Sequence, residues 1–396
     1  MSPETPLTML GDLTSTEFLR DYWQQKPVLI RGAFPDFQCP LSPDELAGLA
    51  CEEGIEARLV EEHGRDEQGQ ARPWRVTHGP FDESTFAALP DRDWSLLVQA
   101  VDHYVPEVAE LLERYTFLPR WRLDDIMISY APPGGSVGPH VDQYDVFLLQ
   151  GMGRRRWQLG GRVADDASII PGIDLRILEN FTVEPGDDWV LEPGDMLYLP
   201  PGWAHHGVSQ SDDCLTLSVG FRAPSADESL ASFADFLGDK LPDSLRYSDS
   251  GMTPPADPGE LDDAAIERMR HLLLDTLDDP ARIAQWFGRV MTQPKYVDQL
   301  VPNEEATDPA ELVAALQQGE ELLRSPGSRL AWRDLGEGRA TLFADGDGAE
   351  CELTLARLVA SEAPLDAEVL AHEGAAVLLA ALLDAGSLAW ASELEE

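Results

Sequence analysis

Between residues 119 and 222 the chain is a close succession of short segments rich in branched and aromatic residues and separated by glycine and proline turns. Examples are DDIMISYA, DVFLLQ, RRWQL, MLYLPPGW and LTLSVGFRAP. Segments of this kind are typical of β-strands. Many short strands at such close spacing indicate a β-barrel or a β-sandwich.

The segments before this β-rich region are predicted to be mainly helical. Thr14 or Ser15 can cap a helix at the start of the chain, and PVLIRGAF follows it as a strand. Residues 40–118 are predicted to be mostly helical, with helical spacing in ELAGLA, ESTFAAL and WSLLVQAVDHYVPEVAELLERY.

The segments after residue 222 predict a helical region followed by a small domain of helices and strands. PSADESLASFADFLGDKL and LDDAAIERMRHLLLDTLDDPARIAQWFGRVMT have apolar residues at helical spacing, with a proline-rich break at 241–258 between them. Residues 301–396 predict a small α/β domain, with helices in ELVAALQQGEELL and EVLAHEGAAVLLAALLDAG and strands in RATLFA and ECELTLARLVA. A chain of 396 residues is long enough for two or three domains.

The charge of the chain is strongly unbalanced. It has 72 Asp and Glu residues against 29 Lys and Arg residues, a formal net charge of −43. Such a surface repels phosphate backbones and anionic lipids and favours basic partners, so we expect no binding of nucleic acid or membrane. Lysine occurs only at positions 26, 240 and 295, and an acidic, lysine-poor surface also suits a halotolerant organism. Charge alone therefore names no partner.

The four cysteines, at positions 39, 51, 214 and 351, form no CxxC pair. This spacing argues against a structural zinc site and against a disulfide framework, and it favours a reducing compartment. The first residues have no basic segment followed by an apolar run, and no window reaches the ~18 uninterrupted apolar residues of a membrane span. We expect a soluble, cytoplasmic protein.

Two motifs carry metal-binding side chains. GPHVDQYD places His140 and Asp142 two residues apart, on one face if the segment is a strand. PPGWAHHG supplies His205 and His206 on a later segment, and only one of these is expected to bind because adjacent strand residues point to opposite faces. Two imidazoles and one carboxylate can occupy one face of an octahedral Fe(II) and leave three positions open.

These motifs, together with FLRDYWQQKPVLIRGAF and DDIMISYAPPGGSVGPHVDQYDVFLLQGMGRRRWQLG, resemble the bacterial ribosomal-protein arginine hydroxylases. That family is a JmjC branch of the cupin-fold, 2-oxoglutarate-dependent oxygenases. The resemblance covers essentially the whole chain and is strongest over 14–33 and 124–222.

The resemblance implies an α+β fold with three parts. A double-stranded β-helix, the cupin or JmjC jelly roll, comes first with N-terminal helices, and we assign it residues 1–222. A helical dimerisation region over 223–300 follows, and a winged-helix-like, acidic domain over 301–396 ends the chain. We therefore expect a homodimer. Residues 301–396 have 20 acidic residues and 5 arginines, so this winged helix is predicted to contact protein rather than DNA.

The resemblance also implies which residues hold the metal and the cosubstrate. His205, rather than His206, completes an Fe(II) site with His140 and Asp142, and these three form the catalytic centre. Arg155 of GRRRWQL is the arginine that faces inward and holds the far carboxylate of 2-oxoglutarate, since a guanidinium is a bidentate, permanently charged partner. Ser129 on another strand is expected to make a second contact to that carboxylate.

A substrate pocket is predicted beside this centre. Asp125, Met127 and Ser129 occur at i, i+2 and i+4 and share one face of a strand. The resemblance supports Asp125 as the partner of a substrate guanidinium, with Met127 and Tyr144 packing the methylenes of that side chain. Alternatively, Asp125 is part of a solvated acidic turn and Met127 is simple core.

The activity implied by the resemblance is hydroxylation of an arginine β-carbon in a basic ribosomal protein of the large subunit, with 2-oxoglutarate and O2 as cosubstrates. Two alternatives remain open. One is a histidine hydroxylase or a lysyl demethylase, although an acid at position 125 suits a guanidinium better. The other is a non-catalytic cupin that binds a ribosomal or regulatory partner.

Overall fold

The protein is described here by a computed structural model that covers residues 5–62, 74–164, 167–238 and 240–394. The chain divides into two compact units, Met1–Ala223 and Pro224–Glu396, and this division lies one residue from the predicted boundary after 222. The further boundary between 300 and 301 falls inside the second unit and stays a prediction. None of the helices in the described ranges combines the length and the apolar character that a membrane span requires.

The first unit begins as the sequence predicts. Thr14 is the N-cap of the first helix, where its side chain accepts a hydrogen bond from the Glu17 backbone and the Glu17 carboxylate returns to the Thr14 backbone. The helices and strands of this unit are, in chain order, α1 (Ser15–Asp21), β1 (Val28–Ile30), α2 (Pro43–Leu49), β2 (Ala57–Glu62), β3 (Trp74–His78), α3 (Glu83–Ala87), β4 (Trp94–Val98), α4 (Pro106–Ala109), β5 (Leu123–Ala131), β6 (Val146–Met152), β7 (Arg155–Arg162), β8 (Asp188–Leu191), β9 (Met196–Leu199), β10 (Trp203–Ser209) and β11 (Cys214–Phe221). Short 3-10 helices lie at Thr8–Leu10, Val101–His103, Glu110–Tyr115 and Arg120–Arg122.

The described strands of the first unit form two antiparallel sheets. The larger sheet has the order β1-β9-β6-β11-β5-β4-β2-β3, and the smaller has the order β10-β7-β8. Apolar side chains of β6 and β9 pack against those of β7 and β8, so the two sheets face each other. The buried residues between them are Val146, Leu148, Trp157, Leu159, Leu191, Leu197 and Leu199. The predicted β-barrel or sandwich is therefore confirmed.

The two faces of the larger sheet are chemically different because alternate side chains of a strand point to opposite sides. On β5, Ile126 and Ile128 belong to a large apolar core that also contains Phe18 of α1. Met127, which lies between them, and Ser129 point to the other side, toward the smaller sheet; we call this side the inner face. Polar residues on this inner face are what the sequence motifs predicted.

One secondary-structure prediction for the first unit is wrong. Residues 40–118 were expected to be mostly helical, yet they contain β2, β3 and β4, and WSLLV is strand Trp94–Val98. All five residues of β4 are buried, so the run has no polar alternation and cannot be distinguished from a buried helix by its pattern. The helices predicted in ELAGLA and ESTFAAL are present as α2 and α3.

The second unit is mainly helical at first and mixed afterwards. Its elements are α5 (Ala226–Gly238), α6 (Asp263–Leu277), α7 (Pro280–Thr292), α8 (Pro309–Gln317), β12 (Leu322–Arg324), β13 (Leu330–Gly336), β14 (Arg339–Ala344), β15 (Asp347–Glu352), α9 (Leu353–Val359), α10 (Ala375–Asp384), β16 (Leu388–Trp390) and α11 (Ala391–Leu394), with 3-10 helices at Val297–Gln299 and Ala367–Ala371. Strands β13, β14 and β15 form one antiparallel sheet, and β12 pairs with β16.

The strand predicted in ECELTLARLVA is only half correct. The segment leaves β15 at Glu352 and continues as helix α9, whose Leu355, Ala356 and Val359 are buried. Leucines at alternate positions suggested a strand, but the buried set has the i, i+1, i+4 spacing of a helix. A run this short satisfies both patterns, and packing against the apolar core of the second unit decides between them.

Candidate functional site

The HxD segment lies directly against strand β10. The backbone N–H of His140 donates to the carbonyl of His205, and the N–H of His205 donates to the carbonyl of His140, both at 3.0 Å. The carbonyl of Asp142 accepts a hydrogen bond from Gly202 at 2.8 Å. These backbone contacts bring together two motifs that are more than sixty residues apart in the sequence.

The side chains of these three residues converge. One ligand atom from each of His140, Asp142 and His205 lies within 4.8 Å of the others. Asp142 Oδ2 is 3.5 Å from His205 Nε2 and 3.8 Å from His140 Nε2. No other group of three or more His, Cys, Asp or Glu residues in the described ranges has this arrangement.

Both imidazoles are oriented by their own backbone neighbourhood. His140 Nδ1 is 2.9 Å from the carbonyl of Gly138, and His205 Nδ1 is 2.9 Å from the carbonyl of Trp203. A carbonyl can only accept, so each Nδ1 carries the proton and each Nε2 presents a lone pair to the cluster. Burial, with the nearby His140, lowers the pKa of His205 to about 4, which keeps this imidazole neutral near pH 7.

The neighbouring His206 points away from the cluster. Its ring packs edge-on against Phe181 at 5.8 Å between ring centroids. Burial also lowers the pKa of His206 to about 4, so this imidazole is neutral near pH 7 as well. The structure thus brings His205, and not His206, to the other two residues.

Arg155 is a buried cation in the same barrel. It is 3% exposed, whereas Arg154 and Arg156 are exposed on either side of it, and Arg156 pairs with Asp188. In the described part of the chain, Arg155 Nε and Nη2 have no hydrogen-bond partner. A buried guanidinium without a partner is costly, so this site is suited to an anionic ligand.

Trp157 connects this cation to the His–Asp–His cluster. Its ring lies 5.8 Å from the guanidinium carbon of Arg155 and 5.8 Å from the ring of His205, measured to ring centroids. Trp157 pairs across the sheet with Gly207, where an added Cβ would come within 2.6 Å of the indole ring. Glycine at 207 therefore leaves room for the indole between the arginine and the cluster.

The predicted substrate residues lie on the inner face of β5 and beside it. Asp125 is 5% exposed, and its Oδ2 accepts a hydrogen bond from the backbone of Ala100 at 2.9 Å, so the alternative of a solvated turn is wrong. Met127 is half-buried and Ser129 is buried. Met127 and Ser129 share one face of β5 by alternation, whereas the pairing of β5 with β11 shifts register between Ile126 and Leu123, beside Asp125.

Tyr144 follows Asp142 by two residues and is 42% exposed. The negative charge of Asp142, and further that of Asp125, raises the pKa of the Tyr144 phenol, whereas the positive charge of Arg58 acts in the opposite direction. The phenol is thus protonated at neutral pH and able to donate a hydrogen bond.

One important residue was missed by the sequence analysis. Asp145 is fully buried and accepts hydrogen bonds from Gln24 at 2.9 Å, from Arg122 at 3.0 Å and from Tyr198 at 2.6 Å. It anchors the end of the segment that carries Asp142 and Tyr144. The sequence does contain a signal for this residue, because Asp145 begins the apolar run DVFLLQ. A carboxylate in such a run is buried only if hydrogen-bond partners satisfy it.

Comparison with known proteins gives matches over both units. Residues 110–229 match the JmjC domain family, and residues 275–389 match the ROXA-like winged helix family. The ribosomal protein uL16 3-hydroxylase of Escherichia coli (strain K12) is 38% identical over 320 residues, which cover 79% of this chain and 81% of that protein. A probable ribosomal oxygenase of Haemophilus influenzae is 35% identical over 318 residues, which cover 77% of this chain and 75% of that protein.

Solved structures agree with these matches. The E. coli ribosomal oxygenase YcfD in complex with cobalt and 2-oxoglutarate has a TM-score of 0.83 at 36% sequence identity, and the alignment covers 96% of this chain and 98% of that one. The complex of YcfD with cobalt and succinic acid has a TM-score of 0.80 over the same coverage. The predicted combination of a JmjC jelly roll with a winged helix is confirmed.

Proposed function

Because this chain belongs to the ribosomal oxygenase family of JmjC-domain proteins, we propose that it is a 2-oxoglutarate-dependent dioxygenase that hydroxylates an arginine β-carbon of ribosomal protein uL16. The observation that carries this proposal is the unpaired, buried guanidinium of Arg155 in the same barrel as the convergent His140, Asp142 and His205. One feature fits an anionic cosubstrate and the other fits a divalent metal.

The donor set suits Fe(II). Two neutral imidazoles and one carboxylate form the two-histidine, one-carboxylate set of non-haem iron oxygenases. A structure of the relative YcfD contains cobalt, whose divalent ion has ligand preferences similar to those of Fe(II). We assign His140, Asp142 and His205 as the iron ligands.

Arg155 and Ser129 are assigned to 2-oxoglutarate. The far carboxylate of this cosubstrate supplies the acceptor oxygens that Arg155 Nε and Nη2 lack. Ser129 is buried on the facing strand, where its hydroxyl can donate to the same carboxylate. The buried indole of Trp157 lies beside Arg155 at this end of the barrel.

When bound, Fe(II) supplies the redox chemistry that couples the two halves of the reaction: one atom of O2 enters succinate as 2-oxoglutarate loses CO2, and the second atom is inserted into a C–H bond of the substrate. The residues of this chain bind and orient. Asp125, held by the Ala100 backbone, pairs with the substrate guanidinium. Met127 and the Tyr144 ring pack the methylenes, and the Tyr144 hydroxyl donates to the substrate. This positions the β-carbon and keeps competing C–H bonds away.

The charge of the protein supports a basic substrate. A net charge of −43 attracts a basic ribosomal protein over a long range and increases the rate of encounter at low salt. We place this encounter in the cytoplasm, where ribosomal proteins are made. The same charge, with 20 acidic residues against 5 arginines over 301–396, supports a winged helix that binds no nucleic acid.

The proposed activity is tested with purified enzyme, Fe(II), ascorbate, 2-oxoglutarate and O2 acting on uL16. We expect one arginine of uL16 to gain about 16 Da, the mass of one oxygen atom, together with one succinate per modified residue. Tandem mass spectrometry assigns the modified residue, and the Asp125→Asn variant is the control for guanidinium recognition. A mass gain on histidine, loss of methyl groups from lysine, or no modification at all would contradict the proposal.

We also propose that helix α6 mediates homodimerisation. Four apolar side chains on this helix are exposed, Ile266, Met269, Leu273 and Leu274, and none of its residues is buried within the chain. A second copy of the chain is the occupant that this continuous stripe fits best, because a stripe at i, i+3, i+7 and i+8 matches the same stripe on an antiparallel copy.

Light scattering after size-exclusion chromatography tests the dimer. We expect twice the 43.6 kDa of one chain for the wild type and a single-chain mass for the double variant Ile266→Glu, Leu273→Glu. Val377→Glu is the control, because Val377 is at least as exposed as Ile266 and Leu273 but lies on α10. A wild-type mass of one chain, or a double variant that still dimerises, would exclude this interface.

A further inference from the structure

Two buried polar atoms on strands next to the predicted substrate pocket have no use in the function proposed so far. Within the described residues, Arg58 Nε and Gln99 Oε1 are buried and have no hydrogen-bond partner. Arg58 lies on β2, and Gln99 immediately follows β4. Burial of an unsatisfied donor or acceptor is destabilising, so such atoms are rare unless a ligand satisfies them.

Arg58 occupies the inner face of the larger sheet. It is the cross-strand partner of Leu97 on β4, and Leu97 is in turn the partner of Ser129 on β5. Residues paired across neighbouring strands point to the same side, so the Arg58 side chain leaves the sheet on the side of the pocket. The positive charge of Arg58 acts to lower the pKa of the Tyr144 phenol, so the two side chains are near each other.

Gln99 lies still closer to the pocket. Val98 is the partner of Ile128, so the next residue, Gln99, comes beside Met127. The backbone N–H of Gln99 donates to the carbonyl of Glu56 at 2.9 Å, which extends the pairing by one residue. Alternation then directs the Gln99 amide to the inner face. Gln99 and Arg58 are diagonal neighbours on adjacent strands, and such positions are about 7–8 Å apart in a typical sheet.

The two atoms are complementary to one chemical group. Gln99 Oε1 can only accept a hydrogen bond and Arg58 Nε can only donate one. A peptide unit has one N–H donor and one carbonyl acceptor. A carboxylate would leave Gln99 Oε1 unsatisfied, and a second guanidinium would be repelled by Arg58.

Asp102 shows what a polar side chain with a structural role looks like in this part of the fold. Its carboxylate accepts a hydrogen bond from the backbone N–H of Ile126 at 2.7 Å. This acid has a protein partner in place, whereas among the described residues Gln99 Oε1 and Arg58 Nε have none.

We infer that Gln99 and Arg58 form a subsite for the substrate main chain, in which Gln99 accepts from an N–H and Arg58 donates to a carbonyl of the residues flanking the target arginine. This inference rests on the proposed function and extends it, because it assigns main-chain recognition to β2 and β4 while β5 recognises the side chain. Recognition of an extended main chain lets the enzyme select a presented loop of a folded or nascent protein rather than a free amino acid.

The first test uses the uL16 peptide that contains the target arginine in its unmodified form. Its binding and turnover are compared between wild type, Gln99→Leu and Arg58→Met. Loss of one hydrogen bond to the peptide is expected to weaken peptide binding ~5- to ~20-fold, by fluorescence anisotropy and in KM, with kcat and the KM for 2-oxoglutarate unchanged. Gln99→Glu keeps an acceptor oxygen and is expected to bind far better than Gln99→Leu. Ser95→Ala is the matched control, because Ser95 Oγ is also buried without a partner in the described chain but lies farther along β4.

The second test changes the substrate instead of the enzyme. Peptides in which one amide flanking the arginine is replaced by an ester lose a single N–H donor. For wild type we expect one such ester to weaken binding to the extent that Gln99→Leu does, and for Gln99→Leu the same ester should have no further effect.

The outcomes separate this inference from the function it rests on. If wild type hydroxylates the arginine but the variants bind the peptide like wild type, or if the ester weakens binding equally in wild type and Gln99→Leu, the main-chain subsite is excluded and the function stands. If wild type modifies no arginine of uL16, both are overturned. Melting temperatures near the wild-type value establish that each variant is folded.

Discussion

Replacing His205 with alanine is expected to abolish arginine hydroxylation, with a loss on the order of 1000-fold or more, whereas His206→Ala retains most of the activity. The two imidazoles are adjacent in sequence and both buried or half-buried, but only His205 has its Nε2 3.5 Å from Asp142. Removal of one of three ligands lowers metal affinity more than the ~10- to 100-fold loss seen when an outer partner of a ligand is removed.

The measurement is the rate of the arginine mass gain at saturating 2-oxoglutarate, together with the metal content of each variant after dialysis. His206→Ala is a matched control, since it deletes the same side chain one residue away and removes the ring that packs against Phe181. Circular dichroism shows whether each variant is folded. Equal activity of both variants, or loss in His206→Ala alone, would reassign the ligand.

Replacing Arg155 with alanine is expected to raise the KM for 2-oxoglutarate by ~30-fold or more while the metal site is retained. Loss of one partner of a buried, hydrogen-bonded ion pair costs about 2 kcal/mol or more, and each 1.4 kcal/mol is about tenfold in affinity. The iron ligands are on other residues, so metal binding and kcat at very high 2-oxoglutarate are expected to change much less.

Arg156→Ala is the control for this second result, because Arg156 is exposed, lies on the opposite face of β7 and pairs with Asp188. A thermal measurement adds a readout without turnover. When 2-oxoglutarate is added to protein that already holds Mn²⁺, it should raise the melting temperature further for wild type and for Arg156→Ala, because a ligand stabilises the folded state that binds it, but much less for Arg155→Ala. An unchanged KM in Arg155→Ala would move the carboxylate anchor elsewhere.

Arg155→Ala is not expected to destabilise the protein in the absence of ligands. Arg155 Nε and Nη2 have no partner in the described chain, so the substitution removes an unpaired buried charge rather than an ion pair. Arg155 therefore favours the binding of 2-oxoglutarate without stabilising the folded protein in its absence. This combination is typical of side chains kept for a ligand.

The local chemistry of the sequence predicted much of the fold. The capping box at Thr14, the helices α5 to α7 and the antiparallel strands after residue 119 follow from local rules of capping, periodicity and turn composition. The prediction failed at WSLLV, where burial on both faces removes the alternation, and at LTLARLV, where a short run fits both periods. In both cases the contacts that decide are distant in sequence.

The candidate site divides in the same way. The residue types and the spacing of HxD, PPGWAHH and GRRRWQL indicate two imidazoles, a carboxylate and an arginine, and those are properties of the chain itself. The spacing could not choose between His205 and His206, since alternation gives two faces without saying which one is inner.

The tertiary structure made that choice, through the two reciprocal backbone hydrogen bonds between His140 and His205 and the packing of His206 against Phe181. It alone revealed that Asp145 anchors the loop, that Arg155 lacks a protein partner, and that Arg58 and Gln99 face the same pocket. The physical reason is that sequence encodes which groups can bond, whereas burial and the register of distant strands determine which of them are left without a partner for a ligand to supply.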